Sequence, residues 1–584
     1  MKHSHVLLVG INAKYIHSTP AIYSLRAYAD AYYPVRPDGC TLLLAEYTIN
    51  QPTTSILADL YRQRPDVIAF SCYIWNWEVV RELLAELPKL LPDTALWLGG
   101  PEVSFHSDKI IQTYPQLSGI MVGEGEETFM ALLKYYWEGT GTLTDIPGLV
   151  CETGFTGERA LTDINRLPFP YSYKEEFSFK EEFSSLEEFD HRILYYESQR
   201  GCPFACTYCL SSIDKSVRLR DLETVKRELR IFLDKRVKQI KFIDRTFNCN
   251  AAHALAIWQF LKENDNGVTN FHFEIAADLL TQEQLAVMKD MRPGLIQLEI
   301  GVQSTNEATL RAIRRHTDID RLRDTVAQIN SYHNIHQHLD LIAGLPFEDY
   351  DTFARSFDTV YAMAPHELQL GFLKVLKGSP MEAQTMEYGI AYSEKPPYEV
   401  LYTKWLSFDE LLGLKGIEEM VSLYYNSGQF TYTLPVLAAQ YPSPFRMYEA
   451  LADCYRQNGY FTRTPARAYR YQILLDFACR TAPTLRQLFA ELLTLDLYLR
   501  ENAKSRPTFA PRDPLDRKSL NRLLEQAGAP KTSHIERFTY PVWNTAALVH
   551  PVPLDAPVCV LFDYEKRDAL THNARFVVLQ GEFS

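Results

Sequence analysis

Cys202-Pro-Phe-Ala-Cys206-Thr-Tyr-Cys209, preceded by an Arg200-Gly201 turn and the apolar-aromatic run Arg192-Ile-Leu-Tyr-Tyr196, is the stretch from which the rest of the chain is read. Three thiolates can hold three irons of a [4Fe–4S] cube and leave the fourth open to an exogenous ligand, and an open iron is reactive. The spacing of three residues and then two differs from the ferredoxin run, and no Cys-Pro follows to supply a fourth thiolate. Zinc is the competing reading, but structural zinc takes four ligands, usually as two separated pairs. The nearest other cysteines, Cys151 and Cys249, belong to other segments, and the scattered ones from Cys40 to Cys559 read as buried small hydrophobes rather than a disulfide framework.

Upstream of the triplet, apolar runs of strand length alternate with helical patterns. Val6–Val9, Thr41–Leu44, Val67–Phe70, Ala95–Leu98 and Gly119–Val122 read as strands, and Ala21–Tyr32, Ser55–Gln63, Trp77–Leu91 and Glu127–Trp137 as helices. Continuous apolar strands separated by helices imply a parallel sheet covered on both faces, with ligands at its carboxyl edge. The loops at that edge are Gly10–Thr19, Ser71–Asn76, Gly99-Gly100-Pro101-Glu102-Val103 and Gly123-Glu124-Gly125-Glu126. Downstream, Ile193–Tyr196, Gln239–Ile243, Asn270–Ile275, Leu295–Ile300, His338–Ile342 and Glu367–Phe372 read as six more strands with intervening helices. Chemistry in β/α barrels sits at the carboxyl strand ends. Polar residues stand there: the Cys loop, Asp244–Asn248, Ala276–Asp278, Gly301–Ser304 and Ala343–Glu348.

The triplet, with Tyr208 as the aromatic before its last cysteine, resembles the Cys-x₃-Cys-x-aromatic-Cys signature of the radical S-adenosylmethionine (SAM) superfamily. The Gly-Gly-Pro-Glu and Gly-Glu-Gly-Glu loops resemble those of the cobalamin (B12)-binding domain that precedes many radical SAM domains. The expected architecture is α/β: a Rossmann-like B12-binding domain over 1–140, a connector over 141–192 with an acidic aromatic run from Lys174 to Asp190, a partial (β/α)6 barrel over 193–385, and a mostly helical substrate or accessory domain over 386–584.

The resemblance implies a [4Fe–4S] cluster on Cys202, Cys206 and Cys209, with SAM chelating the remaining iron. Asp244 and Asn248 take the place of the loop that binds SAM's amino group. Glu299, Gln303 and Ser304 stand where the family contacts ribose and carboxylate, and Gly344 and Glu348 border adenine. Asn12, Tyr15, Ser71, Tyr73, Gly99, Gly100, Pro101, Glu102, Gly123, Glu124, Gly125 and Glu126 are expected at the cobalamin. No Asp-x-His-x-x-Gly motif supplies a lower cobalt ligand, so His17 is expected as a pocket or structural residue. The Tyr73–Trp77 aromatic loop reads either as a wall of the cofactor site or as ordinary packing.

Three functions fit these residues: a cobalamin-dependent radical SAM methyltransferase at an unactivated carbon, an enzyme using the same cofactors for oxygenation, cyclisation or rearrangement, and a non-catalytic cobalamin or redox sensor. An enzyme of this kind takes electrons from an external donor such as flavodoxin or ferredoxin.

With 584 residues the chain has room for several domains, and 46% hydrophobic and 23% charged content is ordinary for a globular protein. The longest apolar runs, such as Val558–Phe562, fall far short of a bilayer span, and the N-terminus reads as a core strand rather than a signal peptide; a cytoplasmic, non-membrane protein is expected. The net charge of −13 argues against wholesale nucleic-acid binding. Locally the balance reverses: Arg456–Lys531 carries 14 Lys and Arg against 7 Asp and Glu. Tyr455, Tyr460, Phe461, Tyr469 and Tyr471 interleave there with Arg456, Arg463, Arg467 and Arg470. A solvated helix face is the simpler reading, and an RNA nucleoside presented by this domain the alternative to a small-metabolite substrate.

Overall fold

β1 (His5–Asn12) alternates its side chains between two cores, and this organises the first sheet. Leu7, Val9 and Ile11 pack with residues of α2 (Thr53–Gln63) and α3 (Trp77–Leu90). Val6 and Leu8 pack on the other face with α1 (Pro20–Tyr32) and α6 (Glu126–Glu138). Such two-sided burial is what continuous apolar strands require. The strands β2 (Thr41–Thr48), β3 (Val67–Ser71), β4 (Ala95–Gly99) and β5 (Leu117–Met121) complete a parallel core in the order β2-β1-β3-β4-β5, with the short α4 (Pro101–Ser104) and α5 (Ser107–Thr113) between the last two. The sheet continues past residue 140, because β6 (Leu149–Cys151) and β7 (Gly154–Phe155) add antiparallel strands that cover its β5 edge. Part of the expected connector is therefore sheet.

This computed structural model describes residues 4–171, 191–511, 516–530, 532–548 and 551–579, so the acidic run from Lys174 to Asp190 lies outside the described residues. Two compact units divide the chain: Met1–Ile296 with Ile313–His316 and Leu373–Leu401, and Gln297–Ala312 with Thr317–Phe372 and Tyr402–Ser584.

The second sheet has the order β15-β14-β13-β12-β11-β8, from β8 (Leu194–Tyr196), β11 (Gln239–Phe242), β12 (Asn270–Ile275), β13 (Ile296–Gln303), β14 (His336–Ala343) and β15 (Glu367–Phe372). A small ladder, β9 (Gln199–Arg200) against β10 (Arg218–Leu219), flanks the Cys loop. The helices α7 (Leu222–Asp234), α8 (Ala251–Glu263), α9 (Gln282–Lys289), α11 (Ile319–Asn330) and α12 (Tyr350–Ala362) each start at a side-chain cap: Asp221, Asn250, Thr281, Asp318 and Asp349. Short polar residues after the strand loops satisfy the first free N–H groups and so fix where each helix begins; the short α10 (Glu307–Ala312) lies between β13 and α11.

In the remainder, α13 (Pro380–Tyr388) and the ladder β16 (Ala391–Tyr392) with β17 (Val400–Tyr402) precede a helical stretch: α14 (Phe408–Met420), α15 (Thr433–Ala438), α16 (Pro444–Gln457), α17 (Arg467–Thr481), α18 (Arg486–Arg500) and α19 (Arg517–Gln526). It ends in an antiparallel sheet of β18 (His534–Phe538), β19 (Val558–Arg567) and β20 (Ala574–Leu579). β18 stops at Phe538, ahead of Pro541, which has no N–H for a ladder. Among the described residues no helix is long and apolar enough to cross a membrane.

Candidate functional site

The Cys loop is shaped by backbone before any side chain acts. Gly201 has φ +95°, and a Cβ there would lie 2.0 Å from the Ser216 carbonyl oxygen, so only glycine fits immediately before Cys202. Cys202 N–H donates to the Asp214 carbonyl at 3.0 Å and Thr207 N–H to that of Ile313 at 3.0 Å, which holds the loop at both ends. Cys202 and Cys206 are buried, Cys209 is half-buried, and all three are free thiols. Burial pushes the Cys202 thiol up; hydrogen bonds to Phe204 and Thr246 oppose this, and the neighbouring Cys209 and Cys206 reinforce it. A buried thiol such as Cys202 becomes a stable thiolate beside strong positive charge, which iron supplies. Among the described residues no three His, Cys, Asp or Glu side chains close round a point as ligands of one ion. The donor set, three sulfurs on one loop, fits a cluster with one open iron.

Asp244, expected at SAM's amino group, has protein partners of its own. It is fully buried and accepts from Ser198 N–H (2.9 Å), Gln199 N–H (3.0 Å) and Ser198 Oγ (2.5 Å). Both oxygens thus hold the Ser198-Gln199 segment that leads into the Cys loop, Oδ1 through backbone and Oδ2 through the Ser198 hydroxyl, and burial raises the acid to about 7. Asn248 is likewise spent, its amide exchanging two hydrogen bonds with the Ala276 backbone at 2.8 and 2.9 Å. The pair braces the segments that follow β8, β11 and β12.

The acidic loops of the first sheet also turn to protein partners. Arg200 lies 3.4 Å from Glu124, 2.9 Å from Glu126 and 2.8 Å from Glu197, while Arg218 lies 2.5 Å from Glu124 and 2.9 Å from Asp214. Burial alone would raise Glu124, but Arg218 and Arg200 outweigh it and hold the carboxyl below its ordinary value. Glu102, also buried, accepts from Lys377 Nζ at 2.6 Å and from the Tyr398 hydroxyl. Asn12 binds Glu46 at 3.0 Å and Thr19 at 2.8 Å in a cluster that includes Tyr23 and Arg192. These four polar side chains, expected at cobalamin, are occupied by loop-to-loop bonds because charges beside buried strand ends must be paired.

What faces outward at the carboxyl edge is apolar surface and backbone. Tyr15 is 65% exposed, and Trp75 is 44% exposed and stacked on Tyr73 at 4.3 Å and 8°. Asn76 bridges the Ile11 and Ser71 carbonyls, at 3.0 and 2.8 Å, and so fixes the two loops relative to each other. Gly100 has φ +108° and comes so close to the neighbouring loop that a Cβ would lie 2.5 Å from the Cys72 carbonyl oxygen. Beside it lie Gly99 and Pro101, the first residue of α4, while Gly123 has open space where a Cβ would stand and Gly125 only Leu25 nearby. Large apolar side chains exposed at this edge are what a flat, mostly apolar macrocycle would cover. His17 Nδ1 and the Tyr195 hydroxyl share a hydrogen bond of 2.7 Å.

In the second unit, Ser304 donates to Glu348 Oε1 at 2.6 Å and Ser356 donates to the same oxygen at 3.0 Å. Burial raises Glu348 to about 7. Gln303, at φ +70°, keeps a buried Oε1 without a hydrogen-bond donor, as does Oε2 of Glu348. Two such acceptors beside strand ends fit a ligand rich in hydroxyl or amino hydrogens, as the sugar and amino acid parts of SAM are. Gly344, at φ +90°, is buried in the turn between them. Glu299 pairs in register with His338, on the polar face that alternates with buried Leu298 and Ile300. The sequence reading named Arg200 only as part of a turn, gave no role to the His338-x-Asp340 alternation of β14, and passed over Arg218 and Arg315; arginines bracketing the Cys loop were the available signal.

Of the aromatic-basic set, Tyr455 and Tyr471 are fully buried, so neither can stack on a base, and Arg467 bonds Gln429 at 2.9 Å and lies 3.3 Å from Glu501.

Residues 6–133 match the B12 binding domain, residues 196–360 the radical SAM superfamily, and residues 386–545 a protein family of unknown function, DUF4080. The first two domains imply [4Fe–4S], SAM and cobalamin. The chain is 25% identical over 370 residues to the cobalamin-dependent radical SAM methyltransferase TokK of Streptomyces tokunonensis, covering 57% of this chain and 51% of that protein. It is 22% identical over 339 residues to the anaerobic magnesium-protoporphyrin IX monomethyl ester cyclase of Rubrivivax gelatinosus, covering 55% of this chain and 57% of the cyclase. The chain thus spans about half the length of these curated relatives. Among solved structures, the methyltransferase TsrM from Kitasatospora setae matches with TM-score 0.55 at 16% identity, over 68% of this chain and 79% of that one. The cobalamin-dependent SAM radical enzyme OxsB matches with TM-score 0.56 at 15% identity, over 84% and 78%. At these identities both show a shared fold.

Proposed function

We propose that this chain, in which a B12-binding domain, a radical SAM domain and a DUF4080 domain follow one another, is a cobalamin-dependent radical SAM enzyme that methylates an unactivated carbon. One observation carries the reading: the three-thiol loop and the carboxyl-edge loops of the first sheet belong to one compact unit, in which Arg200, two residues before Cys202, and Arg218, paired with the Asp214 whose carbonyl holds Cys202 N–H, both bind Glu124 of the sheet's edge. Cysteines tied to such a sheet are placed for two cofactors to work on one substrate atom.

Cys202, Cys206 and Cys209 would hold the cluster, and Tyr15, Tyr73, Trp75 and the glycine loops would lie against cobalamin. When bound, the cluster with SAM supplies hydrogen-atom abstraction and cobalamin supplies a transferable methyl group. The protein's residues do the rest: Asp244 fixes the approach to the Cys loop, Arg200 and Arg218 fix its flanks, and the aromatic edge excludes water. So little acid–base machinery is needed because the cofactors perform the hard step.

A small metabolite is the substrate favoured here, since two of the tyrosines an RNA-stacking surface would use are core residues. A low-potential flavodoxin or ferredoxin would supply the electrons. The second reading, cyclisation, draws its support from the relatives named as cyclases.

Product analysis with reconstituted cluster, hydroxocobalamin and labelled SAM separates the two. Methyl transfer yields S-adenosylhomocysteine and 5′-deoxyadenosine in about equal amounts, because one SAM recharges cobalamin and one is cleaved for hydrogen abstraction. Only 5′-deoxyadenosine, with an unmethylated product, would transfer the assignment to the second reading.

A further inference from the structure

Residues Ile313–His316 return to the first unit from between β13 and α11 and run along the Cys loop. The Thr207 N–H bond to the Ile313 carbonyl, at 3.0 Å, sets their register, and Met381 N–H closes the other side of the loop on the Thr207 carbonyl at 2.9 Å. Arg315 is thereby carried over the middle cysteine. Its Nη1 donates to Cys206 Sγ at 3.9 Å, within hydrogen-bond reach for sulfur. The Tyr208 hydroxyl is hydrogen-bonded to the same sulfur, and Arg315, Tyr208 and Asp278 interact electrostatically. Cys202 has a different companion, the neutral Thr246 hydroxyl at 3.8 Å. The loop therefore has one sulfur with a cationic donor and one with a neutral donor.

Net charge, hydrogen bonds to sulfur and solvent exposure set the potential of an iron–sulfur cluster. A cation bonded to a ligating thiolate stabilises the reduced cluster, which carries one more negative charge, over the oxidised cluster. We propose that Arg315, through Cys206, raises the reduction potential of the cluster and so lets a low-potential flavin or iron–sulfur donor reduce it. The step is a one-electron transfer from that donor to the cluster. Arg315 stays protonated throughout and neither gives nor takes a proton. It is a positioning residue that acts through Cys206. The inference rests on the cluster assignment above and adds to it a residue outside the cysteine motif.

The test is an EPR-monitored potentiometric titration of the full-length, anaerobically reconstituted protein, with iron counted on each sample. Arg315→Gln keeps an N–H donor and removes the charge, and Arg315→Lys keeps the charge. The expected result is full iron in both, a midpoint potential more negative in Arg315→Gln and near wild type in Arg315→Lys, with a smaller negative displacement in Tyr208→Phe. An unchanged midpoint in Arg315→Gln with full iron overturns the proposal. Loss of iron from Arg315→Gln but not Arg315→Lys also overturns it, since Arg315 would then serve assembly. Failure of the underlying reading looks different: a wild-type protein that takes up no reducible cluster.

Discussion

Replacing Asp244 separates a brace from a cofactor contact. Its Oδ1 accepts two backbone N–H groups, and Oδ2 accepts the Ser198 hydroxyl. In Asp244→Asn the amide oxygen can keep both N–H groups while Nδ2 donates to Ser198 Oγ, whose proton turns to His253 Nε2 at 3.4 Å. In Asp244→Ala two N–H groups and a hydroxyl are stranded in a fully buried site, at about 1–3 kcal/mol each, so a loss of about 3–9 kcal/mol is expected. The pH dependence gives a second reading of the same site. Burial raises Asp244 from 3.8 to about 7, so the folded state favours the protonated acid. That contribution is complete below the unfolded pKa and is lost as pH rises through about 7, a change of roughly 4 kcal/mol. Asp244→Asn removes this titration, and its stability should gain on wild type across that window. Denaturant unfolding of the cluster-free full chain between pH 4 and 8, with iron content after reconstitution, measures both effects. Asparagine as damaging as alanine would refute the satisfied-amide argument. A stable, iron-replete Asp244→Asn protein that no longer binds SAM would show that the carboxylate meets the cofactor after all.

Arg200→Gln should destabilise the cluster-free protein by about 3 kcal/mol at neutral pH, because Glu124, Glu126 and Glu197 lose a shared, largely buried cation. Glu124 is held below its ordinary 4.5, so its contribution is present above that value and lost as pH falls further; the gap between variant and wild type should narrow in acid, as thermal unfolding across pH would show. The triple replacement of Cys202, Cys206 and Cys209 by Ala should abolish iron uptake and the absorbance near 400 nm while leaving the far-UV circular dichroism unchanged, since the sheets have cores of their own. Intact iron–sulfur content in that variant would end the cluster assignment.

The layout of the chain was legible because burial on both faces forces it. Val6–Val9 and Val67–Phe70 are apolar at every position, and a strand of that kind has few places other than the middle of a covered parallel sheet. The barrel strands were legible for a related reason, with β12 and β15 falling where the apolar runs lie. The Cys triplet carried its chemistry in its spacing. β6 and β7 were missed because strands of three and two residues leave no periodicity to read. β20 was missed because the half-exposed run Ala574–Leu579 follows a Thr-His-Asn turn with no strong strand signal.

The polar residues at the strand ends show where such reading stops. A carboxylate after a parallel strand looks the same in sequence whether it points at a ligand or at another loop. Here Glu102 reaches Lys377 and Tyr398, 275 and 296 residues away, Glu126 reaches Arg200, 74 away, and Asp244 reaches Ser198, 46 away. Such distances in sequence carry no local pattern. The choice between the two fates follows from desolvation: a charge beside buried strand ends costs several kcal/mol unless paired, and a protein partner is present whether or not a cofactor is bound. Carboxylates that would otherwise depend on a ligand for partners instead lock the loops in advance. What is left for the cofactors is apolar surface, glycine backbone and a few unpaired acceptors such as Gln303 Oε1 and Glu348 Oε2. That division suits chemistry in which the cofactors react and the protein's task is to hold them still.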